Sequence, residues 1–191
     1  VISSILVLVL AAAPPGAADP YETALAVAIH HFAREGSLDH IKAILDKHPR
    51  LVDAYEPLPS GHKPYSTDGY TPLDWAAARG HVKVAAYLIE RGANVNSADG
   101  DGWTPLLLAA RHGHLDVVTL LVEHGARLDA KTEAIAETSS DSLPGQPAAR
   151  PSDKPPTKLP AIPARTALDW AAAFNHADVV AYLQARSKGA K

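Results

Sequence analysis

Asp68-Gly-Tyr-Thr-Pro-Leu-Asp-Trp-Ala-Ala-Ala-Arg-Gly-His81 returns as Asp101-Gly-Trp-Thr-Pro-Leu-Leu-Leu-Ala-Ala-Arg-His-Gly-His114. Thr71 to Thr104, Gly80 to Gly113 and Gly92 to Gly125 are each 33 residues apart. A period of this size marks stacked units, each too small to bury its own apolar face. The residues say what one unit is. Pro72 and Pro105 suit the first turn of a helix, where the missing N–H would be unpaired anyway. Thr71 and Thr104 before them are natural N-caps. Gly80 and Gly113 then close a first helix, and Gly92 and Gly125 a second, each where a left-handed residue is wanted. Ala76-Ala77 and Ala109-Ala110 let helices approach closely. Leu88 and Ile89, like Leu121 and Val122, give the second helix an apolar stripe.

Working outward, a third copy reads Arg165-Thr-Ala-Leu-Asp-Trp-Ala-Ala-Ala-Phe-Asn-His-Ala-Asp-Val-Val-Ala-Tyr-Leu183. A degenerate one precedes the pair, at Ala28 to Leu45, with Ala28 where the others have Pro and His48-Pro49 where they have Gly-Ala. In the last copy Ala167 replaces Pro and Asn175 replaces Gly. These residues strongly resemble the ankyrin repeat. The resemblance implies an all-α solenoid of stacked helix-turn-helix units with outward hairpin loops. It predicts a domain over residues 19–191, with repeats at about 24–54, 68–98, 101–131 and 165–188. The end copies suit caps: Gln184, followed by Ala185-Arg-Ser-Lys188, stands where inner copies have Ile89 and Val122. At the front, Leu38, Ile41, Ile44 and Leu45 form one apolar face.

Two insertions interrupt the period, at about 55–66 and 132–163. The second holds seven prolines with Ser and Thr and little that is large and apolar. Such a stretch buries too little surface to offset its ordering entropy, so a mobile, partly extended loop is expected. Pro144-x-x-Pro147 and Pro160-x-x-Pro163 match a minimal polyproline ligand spacing, but a passive loop is the better reading.

The chain has 191 residues and a formal net charge of -3, with Cys 0 and Met 0. Without a thiol there is no disulfide framework, thiolate metal site or Cys nucleophile. The slightly acidic balance argues against a nucleic-acid binder. Val1 to Ala13 carry no charge, and Pro14-Pro15-Gly16 ends this apolar run well short of the ~20 residues that span a membrane. An apolar core followed by small residues, with Gly16 and Ala18 before a cut, reads as a secretory signal over residues 1–18. Export, periplasmic or secreted, is therefore expected. The alternative is a cytoplasmic scaffold or effector whose apolar start is not a signal.

Chemistry is harder to find. His81, His114 and His176 occupy one repeat position. Packed helices are about 8–10 Å apart, too far for neighbouring copies to share a zinc held at about 2 Å. The pairs His112/His114 and His30/His31 have no carboxylate at metal-site spacing. Asp74 and Asp169 share one local context and read as a repeat variant rather than a catalytic pair. Asp99-Gly-Asp-Gly102 lacks the remaining ligands of a calcium loop and reads as a hairpin tip. No nucleophile elbow, phosphate loop or dinucleotide motif occurs, so no cofactor and no catalytic residue is expected. What remains is a surface. The resemblance implies partner contacts at hairpin tips and on the exposed side of the first helices. The matching positions are Asp68, Tyr70, Arg79, Asp101, Trp103, Arg111, His112, Arg165 and Phe174. Tyr, Trp and Arg are the residue types that dominate interface energetics. The expectation is a monomeric, non-enzymatic protein that binds another protein, with no nucleic-acid partner and no membrane contact once the signal is removed. The competing class is a metal-dependent or hydrolytic enzyme using the His and Asp residues of the concave face.

Overall fold

Thr71, Thr104 and Thr166 each take an extended backbone and accept a hydrogen bond on the side-chain oxygen from the amide three residues on, which starts a helix. In a computed structural model, residues 20–55, 69–133 and 163–189 are described. Among these the order is α1 (Pro20–Glu35), α2 (Leu38–Leu45), a 3-10 turn (Pro49–Asp53), α3 (Pro72–Arg79), α4 (Val82–Glu90), α5 (Pro105–His112), α6 (Leu115–Glu123), α7 (Ala167–Ala173) and α8 (Ala177–Gly189). These are four helix pairs, and no sheet forms among the described residues beyond one antiparallel bridge, Lys131 with Thr166. The all-α repeat stack expected from the sequence is the fold. The first helix, α1, begins at Pro20. The signal reading and most of both insertions lie outside the described residues.

Gly80 and Gly113 end their helices in the left-handed region, at φ 74 and 75. Asn175 does the same job in the last copy at φ 59, which a short polar side chain tolerates better than other residues do. First helices pack side by side as one row, α1–α3–α5–α7, and second helices as another, with the first row the more closely packed. A stack tighter on one side curves toward it, so the first-helix row is concave.

One core runs through all four pairs. Leu73, Leu106, Leu107, Leu88, Leu121, Ile41 and Leu45 are fully buried along it, each contributing about 1.5–3 kcal/mol. Ala76, Ala77, Ala109, Ala110 and Ala171 are fully buried as well, and these small residues allow the close approach of the first row. On the outer helix, Gln184, Arg186 and Lys188 are exposed.

The Pro-rich insertion leaves and re-enters at a pinned point. Thr132 N–H donates to the Arg165 carbonyl at 3.1 Å, and Arg165 N–H to Thr132 Oγ1 at 3.3 Å. The fourth pair thus keeps its register although the period is broken before it.

Candidate partner-binding surface

Position by position, the first helices carry Arg34, Ala78, Arg111 and Ala173 at one site of the repeat, and Glu35, Arg79, His112 and Phe174 at the next. These are the last-turn positions on the concave row, where a cation also complements the helix C-terminus. They are held by the histidines of the repeat that follows. His81 Nε2–H donates to Arg34 O at 3.0 Å, His114 to Ala78 O at 3.1 Å, and His176 to Arg111 O at 3.0 Å. Each ring also lies on the left-handed glycine of the previous repeat: His81 on Gly36, His114 on Gly80, His176 on Gly113. These three histidines therefore tie one repeat to the next. His30 is buried against the carbonyls of Ala26 and Ala54, at 2.8 Å for the latter. Among the described residues no group of three or more His, Asp or Glu side chains converges as a metal site.

Four of the expected surface residues come together. The Arg111 guanidinium lies 5.1 Å over the Trp103 ring, and 5.6 Å from both Trp170 and Phe174. Trp103 and Trp170 are 4.9 Å apart, and Arg165 also lies over Trp170, at 4.9 Å. Each such contact is worth about 0.5–2 kcal/mol, more where water is excluded. Trp103 is half-buried and packed against the core, so its ring supports Arg111 instead of projecting from a tip. Phe174 is 48% exposed and forms the edge of the cluster. The Trp170 indole N–H is buried without an acceptor among the described residues.

The other expected residues take no part in these ring contacts. Tyr70 packs edge-on against Trp75 at 5.3 Å. Burial first, then the charges of Asp99 and Asp74, push its phenol up to about 12. Asp101 belongs to the hairpin, where its N–H donates to Asp99 Oδ1 at 3.0 Å and its carbonyl accepts from Glu133 N–H at 2.7 Å. Burial and then the Glu133 charge raise its carboxyl. The Asp99-Gly-Asp-Gly102 segment is thus a self-bonded turn. Arg79 is exposed, and His112 is exposed with its ring 6.2 Å from that of His114. Burial, followed by Arg111, His114, Arg79 and His176, holds the His112 imidazole below its ordinary value. Asp68 lies outside the described residues.

Sequence reasoning missed Arg34, Trp75 and Trp170. Arg34 lies 5.6 Å over Trp75, and Arg111 lies 5.6 Å over Trp170. The relation is the same in both cases, from one repeat to a tryptophan at the fifth position of the next described unit. The signal was available in the alignment of copies, because Trp75 and Trp170 are equivalent, as are Arg34 and Arg111. Asp74 and Asp169 turn out to complete capping boxes: each carboxylate accepts from the amide of its own Thr at 2.9 Å and from the hydroxyl at 2.7 Å.

Comparison with known proteins agrees with this architecture. The profile of the family described as ankyrin repeats (3 copies) matches residues 7–99 and 29–132, more than half of the chain. The E3 ubiquitin-protein ligase XBAT32 of Arabidopsis thaliana is 38% identical over 66 residues, which are 34% of this chain and 11% of that protein. The chain thus matches only about a tenth of that relative's length.

Proposed function

Because the chain belongs to the ankyrin-repeat family, whose repeats mediate protein–protein interaction, we propose that it is an exported, non-enzymatic monomer that binds a partner protein on its first-helix row. The observation that carries the reading is the sorting of the arginines. Among the described residues Arg50, Arg91, Arg127 and Arg186 each pair with a carboxylate, at Glu22, Asp46, Asp129 and Glu123. Arg34, Arg79, Arg111 and Arg165, all on the concave side or its hairpins, pair with none of the described carboxylates. Beside them sit Phe174, exposed, and Trp103 and Trp170, which hold Arg111 in place. Preorganised Arg and aromatic groups of this kind are what an interface uses.

A photo-cross-linking residue placed at Arg79 or Phe174 tests it. Capture of a protein from these positions and not from Lys83 or Glu123 on the second-helix row is expected. Equal capture from both rows, or none from the inner one, contradicts it. For export, the support is the uncharged Val1–Ala13 run with Gly16 and Ala18 after it. A mature chain beginning at Asp19 is expected on N-terminal sequencing of protein from the source cells, and a retained apolar run refutes it.

A further inference from the structure

We infer that the concave row takes an extended acidic segment of the partner, with a carboxylate at about every third residue and an apolar residue at the end lying against the fourth repeat. The inference rests on the reading of that row as the partner face and adds the chemistry of what occupies it.

Three successive repeats each place a cationic side chain in the last turn of the first helix, Arg34 and Arg111 at one repeat site and Arg79 and His112 at the next, where the first repeat carries Glu35. At the site of Arg79 and His112 the fourth repeat has Phe174, 48% exposed. Neighbouring helices are about 10 Å apart, and three residues of extended chain also span about 10 Å. A carboxylate at every third position therefore meets one cation per repeat, and the next such position meets Phe174. Arg111 and Arg34 present ring-backed guanidinium groups, at 5.1 Å over Trp103 and 5.6 Å over Trp75. Stacking fixes the plane of the group and leaves its N–H edge for a carboxylate. Neither group donates a hydrogen bond to a carboxylate among the described residues, and Arg79 has no such partner either. The crowding of positive charge is felt locally, since Arg111, His114, Arg79 and His176 all oppose protonation of His112 after burial does. A carboxylate of the partner relieves that crowding.

The border of the row selects a peptide over a nucleic acid. Next to the row, Asp101 and Glu133 lie close enough that Glu133 raises the Asp101 carboxyl, with Lys131 and Arg165 on the same hairpin. A phosphate backbone, charged at every residue, brings more anions against these carboxylates than a peptide with one carboxylate in three.

The test is fluorescence anisotropy with the full chain at roughly physiological salt. The probe is a labelled peptide carrying Glu at every third position and a terminal Phe. Its twin has Gln for every Glu, and a single-stranded oligonucleotide of similar length is the third probe. The Glu peptide is expected to bind at least about tenfold tighter than the Gln twin. Arg79→Glu should weaken it about tenfold, and Lys83→Glu on the second-helix row should not. Equal binding of the two peptides, or no effect of Arg79→Glu, overturns the acidic segment. Tighter binding of the oligonucleotide overturns it in favour of a nucleic acid. If the cross-linker at Arg79 captures a protein while the two peptides bind alike, the acidic chemistry fails and the partner face stands. If the inner row captures nothing, the face itself fails.

Discussion

His114 lies against Gly80, and its Nε2–H donates to the carbonyl oxygen of Ala78 at 3.1 Å. The contact repeats at His81 with Gly36 and at His176 with Gly113. A Cβ on Gly80 would come within 2.6 Å of His114 Nδ1, on a backbone at φ 74. A Cβ on Gly92, at φ 93, would meet nothing within 4 Å. Both substitutions strain the left-handed backbone, by about 1–2 kcal/mol, but only one also displaces a histidine. Gly80→Ala is therefore expected to lower the midpoint of thermal unfolding by more than Gly92→Ala does. Equal shifts contradict the histidine contact.

Asp74 and Asp169 make the same capping box in different surroundings. Asp169 is exposed, and the Thr166 amide and hydroxyl hold its carboxyl low. Asp74 is buried with no partner for Oδ1 among the described residues, and burial pushes it up to about 7 against the two bonds from Thr71. A carboxyl raised on folding favours the folded state while it is protonated, so its stabilisation is present below the ordinary carboxylate value and is lost as pH rises through about 7. Asp169 acts with the opposite sign, its contribution fading as pH falls below the ordinary value. Asp74→Asn is expected to flatten the loss of stability between about pH 4 and 7, an effect of a few kcal/mol. Denaturant unfolding across that range checks it, and an unchanged slope refutes it.

Trp103 carries part of the fold as well as the surface. Its ring is half-buried between the core and Trp170, so Trp103→Ala should cost about 2 kcal/mol and lower the melting midpoint. Arg79→Ala, at an exposed site with no ion pair among the described residues, should change stability by less than about 0.5 kcal/mol. Calorimetry of the two variants separates support from contact. A melting midpoint unchanged in Trp103→Ala would mean that the ring stands free.

On the second-helix row, Arg91 joins the first two repeats. Its Nη1 donates to Asp46 Oδ1 at 2.8 Å and to Tyr87 Oη at 3.0 Å, and its Nη2 to the Leu45 carbonyl at 3.0 Å. Arg91→Met keeps the stem and removes all three, for an expected loss of about 1–2 kcal/mol. Denaturant unfolding measures it. A loss no larger than that of Lys83→Met would show the three bonds to be idle.

The solenoid was legible because its signals are local and recur. Thr-Pro starts, left-handed glycines and paired alanines each have one physical job, and 33-residue spacing repeats them. Two copies close to the pattern located the two degenerate ones. The surface was legible in residue type and less so in arrangement. Arg111, Arg165 and Phe174 were found, but the tryptophan that gathers them, Trp170, comes from a helix beyond the Pro-rich insertion. Arg34 sits in the copy with the weakest motif, and although Gly36 aligns it with Arg111, its place over Trp75 shows only once the helices are stacked. Asp74 and Asp169 have the same neighbours in sequence, and their opposite shifts depend on whether another repeat covers them. Burial between repeats is a property of the stack, and a single copy does not encode it.

The partner face is tested most directly by the side-chain Nε–H resonances of the arginines, followed by NMR while the Glu peptide is titrated into the full chain. Arg34, Arg79 and Arg111 are expected to shift together with one affinity, while Arg50, Arg91, Arg127 and Arg186 stay in place. Shifts spread over both sets, or confined to the second, would contradict binding on the first-helix row.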